Sequence, residues 1–187
     1  MMRFNMALHS AAIFVFLALA APTATLGQAV KVAPRAGRPI PQISSLSVSA
    51  TPSGVSFTLV SGGAAIANSP VSITTDWSGL KGTTLSLYGY FTSSAAALTG
   101  SLSGDGIPSS CVFGQMATGL PTSNTAFTQT NPLGGAGASL ELFSQAISNN
   151  GVGNRTDALN LTIDLTSLPT LPADTYTGTL IIQAQDL

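Results

Sequence analysis

Short segments that alternate between apolar and polar residues run through most of this chain, and they constrain its fold class more than any other feature. The alternation is clearest in residues 71–77, 159–165 and 176–184, where valine, isoleucine, leucine or an aromatic residue stands at most second positions. A period of two places successive side chains on opposite faces of a β-strand. One face of each segment can therefore join a core while the serine, threonine and asparagine residues face water.

Eight segments of this kind are separated by clusters rich in glycine, proline and asparagine, which is the pattern of strands joined by turns. They are residues 43–49, 55–60, 71–77, 84–91, 109–115, 138–145, 158–165 and 176–185. No segment has convincing helical periodicity, and residues 94–98 predict one helical turn at most. Seven or eight strands in one domain predict an all-β fold, with two packed antiparallel sheets forming a sandwich.

The first 29 residues have the layout of a secretory signal peptide. Arg3 precedes an apolar run at residues 11–21, which is shorter than the roughly 20 residues needed to span a bilayer. Gly27 and Ala29 place small residues where a signal peptidase reads, so we predict a cut after Ala29. A cut after Ala20 and an uncleaved anchor are the alternatives. The chain is expected to be secreted, periplasmic or at the cell surface, with no integral membrane segment after cleavage.

A proline-rich basic lead at residues 30–42 precedes the predicted sandwich domain at residues 43–187. The lead holds three of the basic residues, and its prolines predict an extended tether. The domain holds two basic and seven acidic residues, a formal charge of −5. Since nucleic-acid binding requires a basic face, this charge excludes nucleic acid as a partner of the domain.

The residues that most enzymes use are nearly absent from the predicted mature chain. His9, the only histidine, lies in the predicted leader, and Cys111 is the only cysteine. Histidine-based catalytic triads and histidine or multi-cysteine metal sites are therefore excluded, and we predict no enzymatic activity, no cofactor and no metal. Cys111 is expected to be a buried, inert side chain. Asp157 and Asp164 are expected to solvate a junction between a loop and a strand.

The longest irregular segment, residues 117–137, is rich in glycine, proline and asparagine. Segments of this length are uncommon in compact domains, and they are functional or mobile when they occur. We expect a mobile loop or an irregular edge strand here, with Phe127 packing down as an anchor.

The closing segment, residues 168–187, contains the pattern Leu-Pro-Ala-x-Thr-Tyr-x-x-x-Leu. This pattern resembles the C-terminal end of spore-coat-U-type and fimbrial subunit domains, which are secreted immunoglobulin-like sandwiches that assemble into surface fibres. The resemblance implies an immunoglobulin-like fold and assembly by strand exchange. The chain departs from these domains in lacking a cysteine pair and an aromatic residue near the end of the last strand. Independently of the resemblance, Asp174 and Tyr176 fit a tyrosine corner, in which the phenol bonds to nearby backbone.

Two functions remain open. The first is a non-enzymatic structural or adhesive surface subunit, fimbrial-like, whose partners are like subunits joined at an edge strand through Ile43, Leu46 and Val48. The second is a carbohydrate- or small-ligand-binding module for surface polysaccharide, with Trp77, Tyr88 and Tyr90 as its aromatic platform. For Trp77 and Phe91, which end core-facing alternations, packing in the core is the expected role.

Overall fold

The computed structural model describes residues 13–20, 44–148, 151–168 and 170–187, with the backbone alone for residues 13–20. Apart from a 3₁₀ turn at Ser109–Cys111, all regular structure in these ranges is β, which confirms the all-β prediction. The strands are β1 (Ile13–Ala20), β2 (Ser45–Thr51), β3 (Gly54–Leu59), β4 (Ala64–Ile66), β5 (Val71–Leu80), β6 (Thr83–Tyr90), β7 (Leu98–Gly100), β8 (Gly106–Ile107), β9 (Val112–Met116), β10 (Thr125–Ala126), β11 (Ser139–Ile147), β12 (Gly151–Asp164) and β13 (Tyr176–Asp186).

The strands form two sheets, which confirms the sandwich. Sheet A has the order β11-β6-β13-β1-β3, with β7 beside β13 and β8 beside β7. Sheet B has the order β10-β9-β12-β5-β2, with β4 beside β12. The strand pairs are antiparallel except β1 and β13, which run parallel.

The eight predicted strands are present within a few residues, with two corrections. Residues 109–111 form a 3₁₀ turn, and the strand predicted at 109–115 begins only at Val112. The strand predicted at 158–165 begins earlier, at Gly151, because its first half pairs with the long strand β5. Five further strands, namely β1, β4, β7, β8 and β10, were not among those predicted.

The core lies between the sheets and follows the period-two pattern. Val71, Ile73 and Trp77 of β5 are buried, and so are Tyr176 and Leu180 of β13. The polar residues between them lie on the outer faces, as Asp76 and Thr179 do. Burial of a large apolar side chain contributes roughly 1.5–3 kcal/mol, so this alternation supplies much of the driving force for sheet packing.

The irregular segment at residues 117–137 is fastened to the core by Phe127, which is fully buried. Its ring meets Phe91 edge to face, with centroids 5.3 Å apart. Gly114 leaves room for it, since a Cβ there would lie 3.2 Å from the Phe127 ring. The segment also pairs with β9 through β10 at the edge of sheet B. The alternative of an irregular edge strand with an aromatic anchor is therefore the one observed.

Cys111 is buried at the end of the 3₁₀ turn, as expected, with its Sγ 3.5 Å from Ser167 Oγ. Within the described ranges, no helix has the length and apolar character required to cross a membrane.

We predict that Phe127→Ala lowers the free energy of unfolding by about 3–5 kcal/mol, the usual cost of truncating a buried phenylalanine. Leu120→Ala, at a position in the same segment that is 61% exposed, serves as the matched control and is expected to cost about 0.5 kcal/mol or less. Urea unfolding monitored by circular dichroism measures both values. Equal, small effects of the two substitutions would show that the segment is not anchored through Phe127.

Candidate functional site

Strand β1 fills a position inside sheet A, between β13 and β3. Val15 lies opposite Tyr176 of β13 on one side and opposite Phe57 of β3 on the other. Leu17 likewise lies opposite Gly178 and Val55. Alternate positions of β1 are thus next to buried residues of its two neighbours, since Val55, Phe57 and Tyr176 are all 2% exposed or less.

Strand β3 depends on β1 for its place in the sheet. Among the described strands, β3 pairs with β1 and with no other. Its Val55, Phe57 and Leu59 side chains are nevertheless part of the core. Without β1, the backbone N–H and C=O groups of β3 would lose their ladder, and buried backbone groups are costly to leave unpaired.

The residues of β1 are also the apolar run of the predicted signal peptide. Removal of residues 1–29 would therefore open a strand position between β13 and β3. Tyr176–Ile181 of β13 would then lose hydrogen-bonding partners on one side. Such an opening exposes unpaired backbone groups on two facing strands, and it is a site that an added strand from elsewhere can fill.

The predicted assembly edge is located in part. Ile43 lies outside the described residues. Leu46 and Val48 are half-buried residues of β2 that pack against the core. Among the described strands β2 pairs with β5 alone, so it lies at the edge of sheet B as predicted.

The three aromatic residues predicted as a binding platform do not come together. Trp77 lies in sheet B, whereas Tyr88 and Tyr90 lie on β6 in sheet A. Tyr88 is only 6% exposed, which corrects the expectation of a solvated face there. The reason is its position on an inner strand, where Glu141 and Gln183 flank it. Tyr90 is half-buried, and its phenol donates a hydrogen bond to Gln183 Oε1 at 3.0 Å.

Trp77, although buried as expected, lines a shallow groove of about 410 Å³ on sheet B. The other lining residues are Ser45, Ser47, Asp76, Ser78, Val152, Gly153 and Asn154. This groove could not be predicted from the sequence, because the residues that line it come from three separate strands, β2, β5 and β12. In the sequence, the one indication of a polar surface here is the run of small polar residues at alternate positions of β2.

Asp157 corrects a second expectation, since it is buried in the sandwich and does not solvate a loop. Arg155 and Thr118 both donate hydrogen bonds to its carboxylate, and the Arg155 guanidinium lies 4.9 Å from the centre of the Phe143 ring. Burial by itself raises the pKa of Asp157. The hydrogen bonds from Arg155 and Thr118 and the charge of Arg155 lower it by more, so the pKa of Asp157 lies below its usual value. The hydrogen bond from Thr118 to Asp157, together with the bond that Arg155 donates to Thr118 O at 2.9 Å, links β12 to the start of the irregular segment.

Asp174 organises the turn after β7. Its carboxylate accepts hydrogen bonds from the backbone N–H groups of Leu102 and Ser103 and from the hydroxyls of Ser101 and Ser103. The backbone bond from Ser103 is the largest cause of a strongly lowered pKa. Nearby, the Tyr176 phenol donates a hydrogen bond to Pro172 O at 3.0 Å, which confirms the tyrosine corner.

Within the described residues, no three or more histidine, cysteine, aspartate or glutamate side chains group in a way that could hold a metal ion. No protein-family model matches the chain, and no curated protein matches it. The features that bear on function are therefore the strand position of β1 and the groove at Trp77.

We predict that Asp174→Asn destabilises the protein at neutral pH and that this effect fades in acid. The folded-state pKa of Asp174 is depressed, so its stabilisation is complete above the unfolded pKa of about 3.9 and is lost as the pH falls towards the folded value. The difference in unfolding free energy between parent and variant should be constant above about pH 5 and should shrink between about pH 4 and pH 2.

The matched control is Asp186→Asn, which removes an exposed carboxylate at the end of β13. Urea unfolding across this pH range should show almost no difference between parent and control. A pH-independent effect of Asp174→Asn would contradict the role assigned to the carboxylate.

Proposed function

We propose that this chain is an exported, non-enzymatic structural or adhesive subunit of a surface assembly, and that a strand from a neighbouring subunit completes its sheet A. The observation that carries the proposal is the position of β1. A segment with the layout of a removable leader fills a central place in the sheet, and β3 has no other pairing partner among the described strands. Cleavage would leave a folded domain that lacks one strand.

The register of β1 defines the chemistry of the strand that would replace it. Positions equivalent to 15 and 17 lie opposite the buried Phe57 and Val55, so an apolar residue is required at each. Positions equivalent to 14 and 16 lie opposite Thr58 and Ser56, which are exposed and half-buried. The donor must also provide N–H groups to two neighbours, which excludes proline from its centre.

The lead at residues 30–42 is a poor donor by this criterion. Its prolines at positions 34, 39 and 41 remove N–H groups that a strand between β13 and β3 would need. The lead suits the role of a tether, which allows the domain some distance from its neighbour. The exposed edge of β2 offers a further surface for contact between subunits.

Two other features support a fimbrial-like subunit. The closing strand carries the pattern shared with fimbrial and spore-coat-U-type domains, and its Tyr176 forms a tyrosine corner like those of immunoglobulin-like sandwiches. Residues 43–187 contain no histidine and a single, buried cysteine, which supports a non-enzymatic role.

The test compares the full chain with residues 30–187. We predict that the shorter form melts at a lower temperature and associates as its concentration rises, because its sheet A is open. A peptide of residues 13–20, flanked by lysines for solubility, should raise the melting temperature and keep the shorter form monomeric. A peptide present at 100 times its Kd would stabilise the folded form by about 2.7 kcal/mol. Differential scanning calorimetry and light scattering provide the two measurements.

Two altered peptides serve as matched controls. Val15→Asp with Leu17→Asp places charges opposite the buried Phe57 and Val55, and it should abolish the effect. Phe14→Ser with Phe16→Ser changes the positions opposite Thr58 and Ser56, and it should retain most of the effect. If residues 30–187 melt like the full chain and stay monomeric at every concentration, the sandwich closes without a donor and the proposal fails.

A further inference from the structure

The groove at Trp77 is built from one row of side chains across three adjacent strands of sheet B. Ser47 of β2 lies opposite Asp76 of β5, and Asp76 lies opposite Asn154 of β12. Neighbouring strands are about 4.8 Å apart, so the row extends over about 10 Å of the outer face. A hydroxyl, a carboxylate and an amide are therefore presented side by side.

A β-bulge shapes one wall of the groove. The register between β12 and β5 shifts between Gly151 and Gly153, and Val152 at the shift is 81% exposed. Gly153 lies against the indole, since a Cβ there would be 2.5 Å from Cζ2 of Trp77. The bulge thus turns an apolar side chain outwards beside the tryptophan, which is a common use of bulges next to binding sites.

Several polar groups in the groove have no partner within the described part of the chain. Ser45 and Ser78 hydrogen-bond to each other at 2.7 Å. The side chains of Ser47, Asp76 and Asn154 form no hydrogen bond with another described residue, and neither does Nε1 of Trp77. The groove therefore offers an acceptor-only carboxylate, and an amide and a hydroxyl that can both donate and accept hydrogen bonds.

The charge of the groove limits what can bind there. Within the described part of the chain, Asp76 is the only charged residue that lines the groove, and no lysine or arginine does. An anionic ligand would meet the unbalanced carboxylate of Asp76, and like charges in close contact repel each other. A ligand with many neutral hydroxyls would satisfy both the donors and the acceptors, and its C–H faces would pack against Val152.

We propose that this groove is a binding site for a neutral saccharide. Asp76 and Asn154 hydrogen-bond the sugar hydroxyls, and Val152 contacts the apolar face of the ring. The site lies on the outer face of sheet B and uses no residue of β1, β3 or β13, so it does not depend on how sheet A is completed.

The test uses the fluorescence of Trp77, which is the only tryptophan in the chain and whose indole packs against Gly153 of the groove wall. The full chain is titrated with neutral hexasaccharides of glucose, mannose, galactose and N-acetylglucosamine, and with a hexamer of galacturonic acid as the anionic comparison. We expect a saturable change in emission with at least one neutral hexasaccharide and none with the acidic hexamer.

Variants then locate the binding. Asp76→Ala and Asn154→Ala should each weaken binding at least tenfold, and Asp76→Asn, which keeps the shape of the side chain, should weaken it as well. Asn160→Ala, an exposed amide further along β12, is the matched control and should bind within twofold of the parent. Unchanged melting temperatures show that each variant is folded. The proposal is overturned if no neutral saccharide changes the emission, if the acidic hexamer binds more tightly, or if Asp76→Ala binds like the parent.

Discussion

Sheet A depends on the double ladder that β1 makes with β13 on one side and β3 on the other. Strand β3 supplies Val55, Phe57 and Leu59 to the core, but among the described strands it pairs with β1 alone. Without β1, only the burial of these apolar side chains would hold β3 against sheet B, and the backbone groups of β3 would need other hydrogen-bond partners. Occupation of the β1 position therefore determines whether β3 is joined to the rest of sheet A.

The two sheets offer two different kinds of surface. The β1 position of sheet A is defined by backbone hydrogen bonds, which any extended segment can form, and its neighbours constrain only alternate side chains. The groove of sheet B instead presents side chains, among them those of Asp76 and Asn154. The irregular segment at residues 117–137 is held against the sandwich by the buried Phe127 and by the hydrogen bond from Thr118 to Asp157. A structural subunit with a second, sugar-binding face is compatible with this division.

The sequence was informative where one face of a strand is apolar, and much less so elsewhere. The eight alternating segments predicted the main strands, and the Asp174 and Tyr176 spacing predicted the tyrosine corner. The first half of β12 was missed because Gly153, Arg155 and Asp157 occupy positions where apolar residues would mark a strand. Tyr88 was misjudged because burial on an outer face depends on neighbouring strands, which a single segment does not reveal. The groove was not found, since cross-strand register is a tertiary property.

The location of β13 has a consequence for the order of folding. It is the last described strand in sequence, yet it lies at the centre of sheet A, between β6 and β1. During synthesis, β11 and β6 can pair as soon as both have emerged, and so can β1 and β3, but the two pairs cannot join into one sheet until β13 is available. The sandwich is therefore completed only after its final strand has been made, and until then the unpaired strands provide binding sites for chaperones and carry a risk of aggregation.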